Sequence, residues 1–242
     1  MAASGGLPRA GEADLWVFRP TSDAARAAAA HLAGDEEERC ARLTRHEHRE
    51  RFAAVRGTLR TVLARYLDMA PREVPIVYGP QGKPHLPLEL DSPVSFNLSH
   101  SGALAAIAVT RTARLGVDIE LRVPRPRLPA LAEALLAPPE RHWYERLTPS
   151  RRTSGFFDLW SAKEACSKLI GRGLTMPLSA ISLESPEAEL SGVSVDHPSA
   201  PEAPCVVRRL PVGPRYSGAL ALELVGAGEH PAAATAAAPH RI

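Results

Sequence analysis

The chain has 242 residues, of which 45% are hydrophobic, 23% charged and 5% aromatic, and its 29 basic and 27 acidic side chains leave a net charge of +2. This length and composition fit a soluble globular protein of one large domain or two smaller ones, and they exclude a disordered or fibrous chain. The balanced charge gives no field that favours nucleic acid or an anionic membrane, and the aromatic residues are too few for a base-stacking surface.

The cysteines and the N-terminus predict a cytoplasmic protein. Cys40, Cys166 and Cys205 are odd in number and far apart, so they predict neither a disulfide framework nor a zinc site. The first residues lack the pattern of a signal peptide, and no apolar run reaches the ~18 residues of a membrane span. We interpret Cys166 as a small packing residue.

In chain order, residues 1–13 and 226–242 are rich in small residues and proline, and we predict flexible tails there. The periodicity predicts helix from residue 24 to 67, with Asp35 as the N-cap before EEERCARL. The expected buried stripe of the later part is Phe52, Val55, Leu59, Val62, Leu63 and Tyr66. Strands are predicted at 74–78, 94–98, 104–110 and 115–119.

The Pro/Arg segment at 121–130, LRVPRPRLPA, predicts a boundary between an N-terminal lobe (14–120) and a C-terminal lobe (121–225). Beyond it we predict helices at about 130–147 and 151–170, and strands near 179–184, 192–196, 204–210 and 217–225. Helices followed by strands repeat the order of the first half. The sequence therefore predicts two similarly built α+β lobes.

Two turns carry groups that suit an anion. In QGKPHLP, at 81–87, a Gly-Lys-Pro turn holds the ammonium of Lys83 away from the chain, where it could meet a phosphate. In FNLSHSG, at 96–102, a strand ends in Asn97, Ser99, His100 and Ser101, and such a turn can offer an imidazole and backbone N–H groups to an anion. An ordinary turn and a capped strand end are the alternatives, and each is favoured for its segment taken alone.

Two further segments carry carboxylates. In LGVDIE, at 115–120, Asp118 and Glu120 lie two apart, so both face the same side of a strand, where they could hold Mg²⁺ or simply meet solvent. In FFDLWSAKEACSKLIGRG, at 156–173, Glu164 and Lys168 lie four apart on one helix face. They form either a surface ion pair or a carboxylate for a metal and an ammonium for the phosphate that the metal holds.

In this order, GKP, FNLSHSG, GVDIE and WSAKEACSKLIGRGL resemble the 4′-phosphopantetheinyl transferases, specifically the monomeric type that activates surfactin synthetase and primes other peptide and polyketide synthases. The resemblance runs from about Asp35 to Leu224. It implies an α+β fold, the 4′-phosphopantetheinyl transferase fold, in which two similar lobes form a pseudo-dimer with the active site in the cleft between them.

The resemblance also implies roles for individual residues. The Mg²⁺ ligands would be Asp118, Glu120 and Glu164, and the catalytic residues would be Glu164, Lys168 and His100. Arg39 falls where the family directs a basic residue at the adenosine 3′-phosphate. The implied coenzyme A site comprises Arg39, Gly82, Lys83, Pro84, His85, Asn97, Ser99, His100, Asp118, Glu164 and Lys168.

The implied reaction transfers 4′-phosphopantetheine from coenzyme A to a serine of an apo acyl or peptidyl carrier protein, with Mg²⁺, and releases 3′,5′-ADP. Glu164 would take the serine proton, directly or through a metal-bound water. The partners are coenzyme A and carrier proteins, with no nucleic acid and no membrane, and the protein is expected to be a monomer. The alternative is a module that binds coenzyme A or a carrier without catalysis.

Several charged residues keep two interpretations. Arg51 and Arg56 fall where the family often has arginines, but helical periodicity slightly favours solvated flanks of the core stripe. Glu140 matches a recurrent family glutamate without a defined role. Candidates for carrier docking, with plain solubility as the favoured alternative, are Arg122, Arg125, Arg127, Arg151 and Arg152.

Overall fold

The structure is a computed structural model that describes residues 8–9, 11–111, 113–171 and 176–224. The helices in these ranges are α1 (Ser22–Ala29), α2 (Gly34–Arg42), α3 (His46–Leu67), α4 (Leu128–Leu135), α5 (Pro138–Glu145) and α6 (Pro149–Ile170). The strands are β1 (Ala13–Phe18), β2 (Val77–Tyr78), β3 (Pro84–His85), β4 (Val94–Ser101), β5 (Leu104–Arg111), β6 (Leu115–Leu121), β7 (Ile181–Leu183), β8 (Leu190–Val195), β9 (Cys205–Arg209) and β10 (Tyr216–Glu223).

The longer strands form two antiparallel sheets, and β2 and β3 form a separate hairpin. The first sheet has the order β1-β5-β4, and the second has the order β6-β10-β9-β8-β7. The inner faces of the two sheets share one apolar core, while α3 covers the outer face of the first sheet and α6 that of the second. The result is a four-layer α–β–β–α arrangement, which confirms the predicted α+β fold with two lobes.

Residue alternation along the strands builds these layers. On β5, Ile107 and Val109 pack with α3, whereas Ala106 and Ala108 belong to the core between the sheets. On β10, Leu220 and Leu222 face that shared core, and Ala219 and Ala221 face α6. Both faces of these central strands are buried, so they contain mainly apolar residues instead of alternating polar and apolar ones.

Strand β6 belongs to the second sheet, where it pairs with β10 in the register Asp118↔Ala219. It lies on the N-terminal side of the predicted boundary at residue 120, and that boundary stays a prediction. The alternation along β6 shows which of its side chains face each layer. Its odd-numbered residues, Leu115, Val117 and Ile119, face the core between the sheets, so Asp118 and Glu120 lie on the side of α6.

The structure corrects several predicted elements. Three helices occupy the range 24–67, and Asp35 is not the N-cap of α2: the helix begins at Gly34 with Ala33 as N-cap, so Asp35 lies in its first turn. The predicted helix 130–147 divides into α4 and α5 because Ala137, which precedes Pro138, is extended with ψ 156°. Strand β1 was not predicted, and only Val77–Tyr78 of 74–78 forms a strand.

The flexible tails predicted at both ends lie largely outside the described residues, which begin at 8 and end at 224. Among the helices that the structure describes, none combines the length and apolar character needed to cross a membrane.

Candidate active site

The carboxylates and cations predicted from the sequence meet in one cavity of about 500 Å³ between β4, β6 and α6. The polar lining consists of Arg56, Ser99, His100, Asp118, Glu120, Trp160, Glu164 and Lys168. Three of the four motifs noted in the sequence therefore converge here, namely those of β4, β6 and α6. We call this space the carboxylate cavity.

Close packing of α6 on β6 brings Asp118 and Lys168 together. A Cβ atom at Gly116 would lie 2.0 Å from the carbonyl oxygen of Ala165, so only glycine permits this approach. Two residues further along β6, Asp118 Oδ1 accepts hydrogen bonds from Lys168 Nζ at 2.7 Å and from Ser99 Oγ at 2.8 Å. Lys168 Nζ also donates to the carbonyl of Val117 at 3.1 Å.

The charge of Asp118 affects the pKa of the other two carboxylates, Glu120 and Glu164, and the charge of Glu120 also affects that of Glu164. Burial, followed by the charge of Asp118, raises the pKa of both Glu120 and Glu164, while Lys168 opposes the rise. A hydrogen bond of 2.9 Å from Ser101 Oγ to Glu120 Oε2 also opposes it at Glu120. Like charges held this close favour a cation between them.

The donor chemistry of the carboxylate cavity suits Mg²⁺. Carboxylate oxygens are its preferred protein ligands, and Asp118 Oδ2 is buried without a hydrogen-bond partner among the described residues. In this arrangement, no group of three or more His, Cys, Asp or Glu side chains within the described ranges is placed to hold a metal ion. The other oxygen of Asp118, Oδ1, forms an ion pair with Lys168. The three predicted ligands thus fit Mg²⁺ by chemistry, without forming a closed set.

A second, basic cavity of about 350 Å³ adjoins the first, and both are lined by Arg56, Leu98 and His100. The basic cavity is further lined by Arg39, Leu43, His48, Arg51, Phe52 and Val55. Arg39 lies over the ring of Phe52, with Cζ 5.6 Å from its centroid. We call the two adjoining cavities together the groove; its lining is cationic at one end and mainly anionic at the other.

Arg56 is not the solvated flank that helical periodicity favoured. Its guanidinium lies between the rings of Phe52 and Tyr78, with Cζ at 5.9 and 5.4 Å from their centroids. Its Nη1 atom is buried and has no hydrogen-bond partner in the described part of the chain, and burial lowers its pKa. A buried donor without a partner is costly, so this N–H group is available to an acceptor in the groove.

The Gly-Lys-Pro turn lines a cavity that shares no lining residue with the carboxylate cavity or the basic cavity. Lys83, Pro84 and His85 line a third cavity of about 360 Å³, and Gly82 adopts φ +73° in the turn. Lys83 Nζ donates to the carbonyls of Lys168 and, at 3.3 Å, Leu115. Burial, with help from nearby Arg114 and Lys168, lowers the pKa of Lys83 to about 8. The lysine therefore links the hairpin to the end of α6.

Asn97 lies beneath the groove and is only 3% exposed. Its Oδ1 accepts a hydrogen bond of 2.9 Å from the backbone N–H of Val117. Its assignment to the coenzyme A site, like that of the other ligand residues, stays a prediction.

Glu140 and Lys163 form an ion pair that the sequence analysis did not predict. Both side chains are 0% exposed, and Lys163 Nζ lies 2.5 Å from Glu140 Oε2. Glu140 also accepts the N–H groups of Ala137 and Leu183 at 2.8 and 2.9 Å. The lysine of the WSAKE motif therefore points away from the carboxylate cavity and anchors α6, while the next residue, Glu164, faces the cavity.

The candidate docking arginines differ in their surroundings. Arg122 donates to Asp158 of α6 at 2.8 Å and to Ser217 of β10 at 2.9 Å, so it links elements of the second lobe. Arg125 lies over the ring of Phe157, with Cζ 5.8 Å from the centroid. Arg127, Arg151 and Arg152 are exposed. A docking role for any of them stays a prediction.

Two family models match consecutive parts of the chain. A model of the 4′-phosphopantetheinyl transferase superfamily matches residues 114–210, and a model of the 4′-phosphopantetheinyl transferase N-terminal region matches residues 16–112. The two models meet between β5 and β6. Together they include every predicted site residue.

Curated relatives carry the same description. The chain is 39% identical over 151 residues to a putative 4′-phosphopantetheinyl transferase of Synechocystis, with 62% of this chain and 61% of that protein covered. It is 40% identical over 147 residues to the 4′-phosphopantetheinyl transferase HetI of Nostoc, with 60% and 62% covered. A Bacillus subtilis 4′-phosphopantetheinyl transferase is 29% identical over 187 residues, with 77% and 80% covered. The chain thus spans about three fifths of the length of the first two relatives.

Among solved structures, the crystal structure of Thermotoga maritima holo-[acyl-carrier-protein] synthase matches 46% of this chain and 63% of its own, with a TM-score of 0.37 and 19% identity.

Proposed function

This chain belongs to the 4′-phosphopantetheinyl transferase superfamily, and we propose that it transfers 4′-phosphopantetheine from coenzyme A to a serine of an apo acyl or peptidyl carrier protein. The observation that carries the proposal is the groove, in which a basic cavity adjoins a carboxylate cavity. Coenzyme A suits such a groove, because its 3′-phosphate needs cations alone, whereas its pyrophosphate, the reacting centre, needs a divalent cation that carboxylates would hold.

The basic cavity supports binding of the adenosine 3′-phosphate. Arg39, Arg51 and Arg56 line it together, and guanidinium groups bind phosphate through several N–H donors at once. Arg56 contributes a buried N–H group that has no partner among the described residues. A phosphate oxygen would satisfy it.

The carboxylate cavity supports the chemistry at the pyrophosphate. When bound, Mg²⁺ would be held by Asp118, Glu120 and Glu164 and would neutralise charge that develops on the phosphate oxygens. Lys168 and His100 line the same cavity and can donate to the 5′-phosphate of the departing 3′,5′-ADP.

The proposed reaction forms one bond and breaks one. The serine oxygen of the carrier protein bonds to the β-phosphorus of coenzyme A, and the bond between this phosphorus and the oxygen that bridges to the α-phosphorus breaks. The electron pair leaves with 3′,5′-ADP, and the serine proton passes to Glu164. Glu164 lines the carboxylate cavity from α6, where its carboxylate is placed to take this proton.

The direct test is the intact mass of a purified apo carrier protein after incubation with this protein, coenzyme A and Mg²⁺. A mass gain of one phosphopantetheine, absent when EDTA is present, is expected. Glu164→Gln, which keeps the size of the side chain, is expected to lower the rate at least ~100-fold. Unchanged carriers of both the acyl and the peptidyl type, with a folded protein that binds coenzyme A, would favour the noncatalytic binding module instead.

A further inference from the structure

Strands β4 and β6 are joined by side chains in place of backbone pairing. β4 is an edge strand of the first sheet and β6 an edge strand of the second. Oxygen atoms of every second side chain of β4 accept the N–H groups of every second residue of β6. The three bonds are Val117 N to Asn97 Oδ1 at 2.9 Å, Ile119 N to Ser99 Oγ at 3.2 Å and Leu121 N to Ser101 Oγ at 3.1 Å.

This ladder satisfies N–H groups that would otherwise be unpaired at the edge of the second sheet. Side chains leave a strand from the face of its sheet, whereas N–H groups leave it at the edge. The face of the first sheet therefore meets the edge of the second. An N–H group buried without a partner costs about 1–3 kcal/mol, so each rung is required for the two sheets to meet in this way.

The two serine rungs have a second bond, and its direction is fixed. A hydroxyl has one hydrogen to donate, and the oxygen of Ser101 already accepts the N–H of Leu121. Because the carboxylate of Glu120 accepts and does not donate when ionised, the hydroxyl hydrogen of Ser101 points to Glu120 Oε2, 2.9 Å away. Ser99 repeats this unit between Ile119 and Asp118.

We propose that Ser101 is a positioning residue that holds the carboxylate of Glu120 for a divalent cation, as Ser99 holds Asp118. This inference rests on the proposed function. The backbone of β6 orients the hydroxyl, and the hydroxyl in turn fixes Oε2 of the Glu120 carboxylate. Partners that orient a metal-binding side chain typically affect metal affinity 10–100-fold.

The test compares three single variants of the full chain. Ser101→Ala removes the hydroxyl, Ser101→Thr keeps it, and Ser95→Ala makes the same chemical change on the same face of β4. In the described part of the chain, the hydroxyl of Ser95 has no hydrogen-bond partner, so this last variant is a matched control. Circular dichroism and thermal melting check that each variant is folded.

Two readouts are measured. The first is amide hydrogen exchange of Leu121, followed by NMR, which reports the ladder without reference to any activity. The second is binding of Mn²⁺, used as a paramagnetic probe, followed by electron paramagnetic resonance. We expect Ser101→Ala to speed exchange at Leu121 and to weaken Mn²⁺ binding at least ~10-fold, with Ser101→Thr and Ser95→Ala within about twofold of the wild type.

Three outcomes would overturn the inference: exchange at Leu121 that is unchanged in Ser101→Ala, Mn²⁺ binding that is unchanged in Ser101→Ala, and a Ser101→Thr variant as impaired as Ser101→Ala. Failure of the proposed function is recognised separately. In that case the wild type would leave carrier proteins unmodified, while the exchange data would still show whether Ser101 holds β6.

Discussion

The two lobes anchor their long helices with the same device, a buried glutamate–cation pair. In the first lobe, Arg60 of α3 contacts Glu36 with Nε to Oε2 at 2.5 Å; in the second, Lys163 of α6 contacts Glu140 at 2.5 Å. Both cations occupy the same position of a 22-residue helix, and both glutamates are the third residue of the preceding short helix. Each glutamate also accepts the N–H of an alanine N-cap, Ala33 or Ala137.

The pairs differ in how completely they are satisfied. Glu140 uses both oxygens, because Oε1 accepts the N–H of Leu183, whereas Glu36 Oε1 is buried without a partner in the described ranges. Arg60 donates to three carbonyls after α3, those of Pro71, Arg72 and Val74, while Lys163 donates to those of Leu178 and Ile181. The first lobe is thus anchored mainly by its cation, and the second mainly by its glutamate.

This difference matches the different cavities to which the two long helices contribute side chains. The helix held by Glu140 carries Glu164 and Lys168 into the carboxylate cavity, so its placement decides the geometry of the proposed reaction. The helix held by Arg60 carries Arg51 and Arg56 into the basic cavity, where long cationic side chains tolerate small shifts. An equivalent architecture therefore supports a more strictly positioned site on one side and a binding site on the other.

The largest expected effect comes from removal of each glutamate. Glu140→Ala leaves Lys163 and the N–H groups of Ala137 and Leu183 without their acceptor, and should lower the free energy of unfolding by about 3–5 kcal/mol. Glu36→Ala should cost less, because Arg60 keeps its carbonyl partners. Urea denaturation measures both. An equal cost for the two variants would show that the pairs are equivalent in energy as well as in geometry.

The pH dependence of these variants sharpens the same comparison. Burial already lowers the pKa of Lys163, and Glu140 opposes that shift, so Glu140→Ala should lower this pKa further. The unfolded chain then binds more protons than the folded one, and the stability of Glu140→Ala should recover as pH rises from 7 toward the ordinary lysine pKa of about 10.4. The stability deficit of Glu36→Ala, measured over the same pH range, is the comparison for this recovery.

Two glycines test the helix packing in each lobe. A Cβ at Gly116 would lie 2.0 Å from the carbonyl oxygen of Ala165 in α6, and one at Gly57 would lie 2.2 Å from that of Ala28 in α1. Both Gly→Ala variants should lose about 1–3 kcal/mol of stability. Only Gly116→Ala should also lower kcat of the transfer strongly, because it displaces Glu164 and Lys168 from Asp118.

Gly34→Ala is the control for both glycine variants, because no atom lies within 4 Å of the added Cβ. Its stability and rate should match the wild type. A Gly116→Ala variant with wild-type kcat would show that α6 can shift without affecting the site.

Removal of single cations should separate binding from chemistry. Arg56→Met should raise KM for coenzyme A about tenfold with a smaller change in kcat, because it removes a phosphate-binding group, and tenfold corresponds to about 1.4 kcal/mol. Lys168→Met should mainly lower kcat, because Lys168 lies beside Asp118 at the reacting centre. Steady-state kinetics with a carrier protein measures both. A kcat effect for Arg56→Met together with a KM effect for Lys168→Met would contradict the roles assigned to the two ends of the groove.

Lys83, which links the hairpin of β2 and β3 to the end of α6, should affect stability only in alkaline solution. Its pKa of about 8 lies below that of an ordinary lysine, so the unfolded chain binds more protons above pH 8. The wild type should gain stability relative to Lys83→Met as pH rises from about 8 to 10, by at most ~1.4 kcal/mol per pH unit. Denaturation at several pH values measures this slope, and a flat difference would contradict the buried position of the ammonium.

The sequence by itself determined the elements and residue types whose signals are local. The period of two on β6 placed Asp118 and Glu120 on one face, and the spacing of four placed Glu164 beside Lys168 on α6. The apolar stripe of α3 and most strands of both lobes are likewise indicated by the short-range periodicity of apolar residues. These features depend on a residue and its near neighbours in the chain, which is why they could be predicted.

Only the tertiary structure decided how the lobes meet. Ser101 and Glu120 lie on different strands of different sheets, and nothing local distinguishes a serine that accepts a distant N–H from one that faces solvent. Arg56 could be read as a solvated flank because periodicity assigns a face and not what covers it. The pairing of Lys163 with Glu140 and of β6 with β10 likewise depends on packing between segments far apart in the chain, and such contacts leave no periodic signal in either segment.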